Sequence, residues 1–466
     1  MAAAHLPATV PGTEHLLLTG VRLIDGTGRD PVLDAEIEID GDRIVYAGPA
    51  RRGRSGHWES GAVLGEPGPQ PMPGEPGTAS ASVDPSPHRP RTGARTIDLR
   101  GATVLPGFID CHVHLGLSIE DQTADADRFA TERTLRTALN ARRTLMAGVT
   151  TARDLGGIDR GFRDAIGYGL IQGPRLHLAI SALSPTGGHT DFTLPNGREV
   201  PMHLPVDPII DTDDDVRRTV RLLVRSGADV IKVCTTGGVS SPSDTPDDLG
   251  VPEEHVRLIV AETAKRAGQP VAAHAQGAAG IKAAIRGGVR SVEHGYGIDD
   301  EGIDLMLTSG TFLVPTLSSA LRVPDPAVVP AYLYEKKVRW SAVARERVAA
   351  ALAAGVKVAL GTDAGVCPHG ENLREPVHAV ELGLTPMQAI VAGTQTAAQL
   401  LRLDDEIGTI EAGRLADLLV VDVDPLADIT PLADPDSIRV VMQGGTVVKD
   451  TDARLTDAPA PPLLAR

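Results

Sequence analysis

The spacing of apolar and polar positions changes character several times along the chain. Residues 16–25 are β-rich and carry a glycine, and residues 36–45 alternate through a turn at Asp40-Gly41, so the N-terminal stretch predicts short strands in hairpins. From 51 to about 95 the periodicity disappears under Pro, Gly, Ser and Arg, which reads as a disordered or loosely held surface insertion. From about 100 onward strand, loop and helix patterns alternate. Strands are expected at 103–109, 148–154, 175–181, 229–234, 270–274, 291–294, 311–316 and 357–361. Thr212 caps a predicted helix whose first turn holds Asp213, Asp214 and Asp215, favourable to the N-terminal dipole, and whose apolar face is Val216, Val220, Leu223 and Val224. Pro252 opens another helix that Gly268 closes. Thr385-Pro386 opens a third, running through Ala389, Ile390, Ala397 and Leu400.

Eight strands separated by helices predict an α/β fold with a (β/α)8 TIM-type barrel rather than an open sheet. After Leu403 the pattern returns to strands at 407–410, 416–421 and 439–448. The two ends of the chain therefore resemble each other. The expected organisation is a barrel over 101–403, a small composite β-sandwich domain built from 1–100 and 404–450, and a flexible tail at 451–466.

Composition narrows the class. The chain has 466 residues, 42% of them hydrophobic, enough for a large core. Its net charge of −16 argues against nucleic acid or an anionic membrane as partner. Cys111, Cys234 and Cys367 are too few and too scattered for a disulfide framework, which favours a reducing compartment. No basic-then-apolar leader and no apolar run near the ~20 residues needed to span a bilayer are visible. The expectation is a soluble, cytoplasmic protein acting on a small molecule.

The chemistry lies at the expected strand ends. His112 and His114, two apart at the end of the first barrel strand, point to one side and can converge on a cation. Lys232 sits inside the apolar strand 229–234. Burial disfavours its ammonium form, and a neutral amine there can take up carbon dioxide as a carbamate. His274 ends the fifth strand, His294 the sixth, and Asp363 follows the eighth. That end of a barrel is where active sites form, and six ligand-type side chains delivered there from five separate strands point to a metal centre.

These residues, with Gly107-Phe108-Ile109-Asp110-Cys111-His112-Val113-His114 and Gly361-Thr362-Asp363-Ala364-Gly365, resemble the amidohydrolase superfamily over nearly the whole chain. The segments 150–157 and 231–238 look like the branch of binuclear dipeptidases that includes Xaa-Pro dipeptidase-like enzymes and ochratoxin-type amide hydrolases. Thr186-Gly187-Gly188-His189-Thr190-Asp191 resembles that branch's Gly-Gly-His-Gly-Asp, with Thr190 in place of glycine. The resemblance implies two divalent metal ions, zinc by donor type. His112 and His114 would hold the more buried ion, His274 and His294 the other, and carbamylated Lys232 would bridge them. Asp363 would bind the buried ion and contact a shared hydroxide that attacks the amide carbon, then pass the proton to the leaving nitrogen.

The implied reaction is hydrolysis of a dipeptide, Xaa-Pro-like, or of an N-acyl amino acid. The rival is hydrolysis or deamination of a cyclic amide or heterocycle, as in imidazolonepropionase, whose mononuclear relatives generally lack a bridging lysine. A non-catalytic scaffold of the same fold is disfavoured because all six ligands are intact. Self-association rests on resemblance alone.

Further candidates are weaker. His189 can reach a substrate carboxylate or merely order Asp191. Tyr296 can hydrogen-bond the reaction intermediate or merely pack, and His369 can line the pocket or brace its loop. Arg153 and Asp154 are expected to pair with each other. Cys111 should face the helical shell, Cys234 should share the facing of Lys232, and Gly237-Gly238 offers N–H groups to an anion. His177, His203, His255 and His378 carry no pattern.

Overall fold

The computed structural model describes residues 14–51, 93–118, 129–193 and 206–456. The segment read as a loose insertion lies, apart from its ends, outside these residues. So do the last ten positions of the expected tail and His203.

The N-terminal half of the terminal domain comprises β1 (His15–Leu23), β2 (Val32–Asp40), β3 (Arg43–Pro49), β4 (Arg95–Asp98) and β5 (Thr103–Pro106). β1 pairs with β4 along Leu16–Thr19 and with β5 at Arg22 and Leu23. The change of partner falls at Gly20, whose φ of +62° suits a residue without a Cβ.

The expected first barrel strand at 103–109 is in fact two strands. The chain turns at Pro106-Gly107, where a Cβ on Gly107 would sit 2.3 Å from Thr150 Oγ1. β5 stays with the terminal sheet and β6 (Phe108–Val113) opens the parallel strands. There follow β7 (Val149–Asp154), β8 (Arg175–Leu178), β9 (Ala182–Leu183), β10 (Ile231–Cys234), β11 (Val271–Ala275), β12 (Ser291–His294) and β13 (Phe312–Val314). They form two parallel sheets, β6-β7-β8 and β9-β10-β11-β12-β13.

The expected third strand, 175–181, stops at Leu178; Ile180 then adopts φ +73°, and β9 begins just past the expected end. The expected eighth strand carries one isolated parallel bridge, Leu313 to Val358, and a second, Val113 to Ala364, lies three residues beyond its end. Its backbone bonds β13 on one side (Ala359 N–H to Leu313 O, 3.0 Å) and β6 on the other (Cys111 N–H to Leu360 O, 2.9 Å). At the other seam Asp229 N–H donates to Leu178 O at 2.8 Å. Parallel strands flanked by helices make this a TIM-type α/β arrangement.

β14 (Leu418–Val421), β15 (Ile438–Gln443) and β16 (Thr446–Asp450) complete the terminal domain. Its strands follow a single hydrogen-bonded path, β16-β15-β14-β5-β1-β2-β3, joined by antiparallel pairing of β14 with β5. The sheet closes on its own apolar cluster, with Leu16, Leu18, Ile37 and Ile39 from one end of the chain against Leu418, Val420, Val440 and Met442 from the other. It is tied to the parallel strands by the buried Arg175–Asp417 ion pair and by Gln443 Nε2, which donates to Thr150 O at 2.8 Å.

The helix signals hold with adjustments. Thr212 and Asp215 form a reciprocal cap on the helix Asp213–Arg225. The helix Glu253–Ala264 ends before Gly268, whose N–H closes the following turn on Thr263 O. The third helix is two, Pro386–Ala392 and Gln395–Leu401. They divide at Gly393-Thr394, where a Cβ on Gly393 would press on Phe108 at 2.7 Å. No helix among the described residues is long and apolar enough to cross a membrane.

Candidate active site

Strand ends deliver the six predicted residues to one place. His112 lies in β6 and His114 just beyond it, Lys232 in β10, His274 in β11, and His294 ends β12. Asp363 follows the eighth segment, where its N–H donates to His112 O at 2.7 Å. Asp363 Oδ1 is 3.5 Å from His112 Nε2 and 3.6 Å from His114 Nε2. One ligand atom from each of these three residues falls within 4.8 Å of the others. The remaining imidazoles continue the cluster, with ring centroids 4.9 Å apart for His112–His294 and 4.6 Å for His274–His294.

Each imidazole commits one nitrogen to the protein. His112 Nδ1 meets Glu293 Oε2 at 2.9 Å, His114 Nδ1 meets Gly156 O at 2.8 Å, His274 Nε2 meets Gly237 O at 3.0 Å, and His294 Nδ1 meets Thr316 Oγ1 at 2.8 Å. The other nitrogen of each remains for a ligand. His112 Nε2 is buried with no hydrogen-bond partner. Such an orphaned atom in a fully buried ring needs an acceptor of its lone pair, and a cation supplies one.

Burial holds the His112, His274 and His294 imidazoles well below their ordinary pKa, and His114 at about 4, so all four present lone pairs. The Lys232 ammonium adds to the depression of each. Lys232, 3% exposed, is itself pushed down by burial. Burial raises the Asp363 carboxyl to about 7. Asp110 receives the Thr362 N–H and hydroxyl, the Asn372 amide and the His112 N–H, and so locks the β6 backbone to the turn that carries Asp363. His294, Thr316 and Asp363 all adopt left-handed φ, of 71°, 49° and 63°. Backbone strain of this kind concentrates where side chains must be aimed.

The weaker candidates divide. His189 stacks on His274 at 4.2 Å and bonds Asp244 Oδ2 at 3.2 Å through Nδ1. It does not order Asp191, which instead accepts the Gly187 and Thr193 N–H groups. Thr190 spends its hydroxyl on Ala182 O at 2.6 Å, a contact glycine lacks. Tyr296 packs against His294 and bonds Thr316 Oγ1 at 3.0 Å. His369 braces the loop after β6 by bonding Leu117 O at 2.9 Å. Cys111 faces the helical shell, in one cluster with Ala397, Leu400 and Leu401. Cys234 lies 4.0 Å from the Thr190 hydroxyl. The Gly237 and Gly238 N–H groups are already taken by Asp248 O and Asp244 Oδ1.

The expected Arg153–Asp154 pair does not form. Neighbouring strand residues point to opposite faces, and Arg153 reaches Glu293 at 2.8 Å while Asp154 accepts the Leu115 and Gly156 N–H groups. Glu293 and Arg153 are the supporting residues that sequence reasoning missed. The available signal was a glutamate in a short apolar strand, directly before a ligand-type histidine, where a buried charge demands a partner.

Comparison with known proteins places this geometry in context. The sequence profile of the amidohydrolase family matches residues 103–448. Ochratoxinase from Aspergillus niger is 34% identical over 370 residues, spanning 75% of this chain and 76% of that one. A solved Xaa-Pro dipeptidase with methionine bound in its active site superposes with a TM-score of 0.79 at 31% identity, covering 93% of this chain and 99% of that one. Imidazolonepropionase from Rubrobacter xylanophilus is 26% identical over 465 residues, spanning 88% of this chain and 90% of that one.

Proposed function

The chain belongs to the amidohydrolase family and is a hydrolase acting on carbon–nitrogen bonds, and from that premise we propose that it cleaves an open-chain amide with two divalent metal ions. The substrate class is a dipeptide, Xaa-Pro-like, or an N-acyl amino acid. The observation that carries this reading is the nitrogen inventory: four clustered imidazoles, each tied to the protein at one nitrogen and open at the other.

In this reading His112, His114 and Asp363 would hold one ion, His274 and His294 would hold a second, and Lys232, as its carbamate, would supply an anionic ligand between them. Zinc suits the donor set of nitrogen and carboxylate oxygen. The ions, when bound, supply an activated water and polarise the substrate carbonyl. The chain's own residues do the rest. Asp363 takes a proton and delivers it to the leaving nitrogen. Tyr296 presents a hydroxyl to the carbonyl end of the substrate. His189, fixed between His274 and Asp244, and His369 on the opposite loop line the approach.

The rival reading, a cyclic amide or heterocycle as substrate, is favoured by the likeness to imidazolonepropionase. It is weakened by Lys232, a buried lysine among the four imidazoles with no ion pair among the described residues. The finer architecture belongs to the same proposal: a closed eight-stranded barrel over 101–403 with the seam bonds at Leu178 and Leu360, and a composite sandwich from 1–100 and 404–450. So do a cytoplasmic location and a small-molecule partner.

The test is a panel of dipeptides, N-acyl amino acids and cyclic amides. It is screened against protein reconstituted with zinc, manganese or cobalt in bicarbonate buffer, with metal content measured by elemental analysis. Two metals per chain and turnover on open-chain amides are expected. One metal, or turnover on cyclic amides alone, sinks the reading in favour of its rival.

A further inference from the structure

The helix Ala331–Ala353 follows β13 and carries Lys337 toward the metal-ligand cluster. The shaft of Lys337 keeps some contact with solvent while its ammonium end is enclosed. The ammonium donates to Ser319 O at 2.9 Å, a backbone carbonyl in the short helix Leu317–Ala320. That helix begins one residue after Thr316, the residue that fixes His294. Ser319 is also adjacent to Asp363 and Tyr296, so Lys337 lies at the edge of the proposed reaction site.

The charge count around this ammonium is unusual. An enclosed lysine normally ends on a carboxylate, because an unpaired buried charge is costly. Among the described residues Lys337 has no ion pair, and its one hydrogen bond goes to a neutral carbonyl. The groups that act on it electrostatically are Asp363, Cys367 and Arg322. Asp363 is committed to the imidazole cluster, where its carboxylate lies 3.5 Å from His112 Nε2. Arg322, on the loop after Ser319, is a second cation with no ion pair among the described residues, and it adds positive charge to the same space. Neither the enclosed Lys337 ammonium nor the exposed Arg322 guanidinium ends on a carboxylate among the described residues, so this edge of the site has positive charge to offer an anion.

We propose that Lys337, supported by Arg322, binds the free carboxylate of the substrate and so selects amides of amino acids over neutral amides. The inference rests on the hydrolytic reading above and deepens it. It explains why the ammonium has no protein anion: a permanent carboxylate partner would occupy the position meant for the substrate. A carboxylate seated there receives charge-assisted hydrogen bonds from the two remaining ammonium N–H groups. It also anchors the amino-acid half of the substrate next to Asp363, the residue proposed to protonate the leaving nitrogen. The amide bond is thereby positioned by binding energy gathered away from it.

The experiment measures equilibrium binding and hydrolysis of the common N-acetyl-L-amino acids and of their neutral methylamides. Metal-reconstituted wild type, Lys337→Met and Lys337→Arg are compared, each checked for metal content and melting temperature. Wild type is expected to bind the best acid about tenfold or more tighter than its methylamide. Lys337→Met should lose that preference with metal content intact, and Lys337→Arg should keep part of it. Acids that bind wild type no better than methylamides overturn the inference even if Lys337→Met fails to fold, as does an acid preference that survives in Lys337→Met. Acids that bind in a Lys337-dependent way but are never hydrolysed would leave this subsite standing and sink the hydrolytic reading instead.

Discussion

His112 Nδ1 lies 2.9 Å from Glu293 Oε2, and the same carboxylate is gripped by Arg153 Nη2 at 2.8 and 3.0 Å and by the Ser291 hydroxyl at 2.5 Å. All four side chains are essentially removed from water. The carboxylate fixes the tautomer so that Nε2 carries the lone pair, and makes the imidazole a stronger donor. Arg153 also donates through Nε to Cys111 O at 2.6 Å, so it fixes the backbone directly before His112. Glu293→Gln is therefore expected to weaken metal binding about 10- to 100-fold, read by competition with a chelator. It also strands the Arg153 guanidinium, at a stability cost of about 3–5 kcal/mol in urea unfolding. Adding Arg153→Met should return part of that stability and none of the metal affinity. Unchanged affinity in Glu293→Gln would show that the contact merely packs the barrel.

Lys232 and His112 make separable predictions. Lys232→Ala removes the proposed bridge while leaving the four imidazoles in place. The expected result is a fall from two metals per chain to one, together with loss of the carbamate signal that 13C-bicarbonate should produce in wild type. His112→Ala removes a ligand and its hydrogen bond to Glu293 together. Turnover should fall by about three orders of magnitude or more, with loss of the ion shared with His114 and Asp363. Full metal content in both variants would end the binuclear proposal.

Gly238 tests the position of His189. A Cβ at residue 238 would stand 2.3 Å from His189 Cε1, and the ring cannot retreat because it is stacked on His274 at 4.2 Å and held by Asp244. Gly238→Ala should move the His189 ring, lowering kcat/KM by about tenfold or more while both metals are retained. Kinetics measured beside elemental analysis separate this outcome from simple loss of the centre. Unaltered kcat/KM would mean that His189 takes no part in the reaction.

The clustering of the candidate residues was more legible than the breaks in the strands around them. Ligand-type residues recur at strand ends, and a strand's two-residue repeat is enough to put His112 and His114 on one side. The breaks were harder to see. At Pro106-Gly107 the hydrophobic pattern runs on unbroken, yet the close approach of Thr150 turns the chain out of one sheet and into another. Ile180 gives no warning of its left-handed backbone, since a β-branched residue pays for that conformation only through tertiary contacts. The run from Pro386 to Leu401 has helical periodicity throughout, and its division at Gly393 is set by the Phe108 ring of β6. The Arg153–Glu293 pair joins residues 140 positions apart, a relationship that local spacing does not encode. Lys337 sits on a long helix whose pattern makes it one more surface lysine.

Lys449 provides a pH test where the terminal sheet meets the helix before β7. Its ammonium leaves β16 to meet Met146 O at 3.0 Å and Pro435 O at 2.7 Å. Burial lowers its pKa to about 8, against the opposing pull of Asp436 and Asp434, with Arg439 adding a smaller depression. Below pH 8 both the folded and the unfolded chain carry this proton, and the folded state bears the full penalty of a poorly solvated charge. Between about 8 and the ordinary lysine value of 10.5 the unfolded chain binds more protons than the folded one, so this group makes stability rise with pH. The gain across that window is at most about 3 kcal/mol. Lys449→Met has no proton to release and should lack the rise. Urea unfolding at about pH 7, 9 and 10.5 should therefore show wild type gaining on the variant as pH increases. Groups elsewhere titrate alike in both proteins and cancel in the difference. A difference that stays flat over the window would mean that the ammonium is as well solvated at this junction as in the unfolded chain.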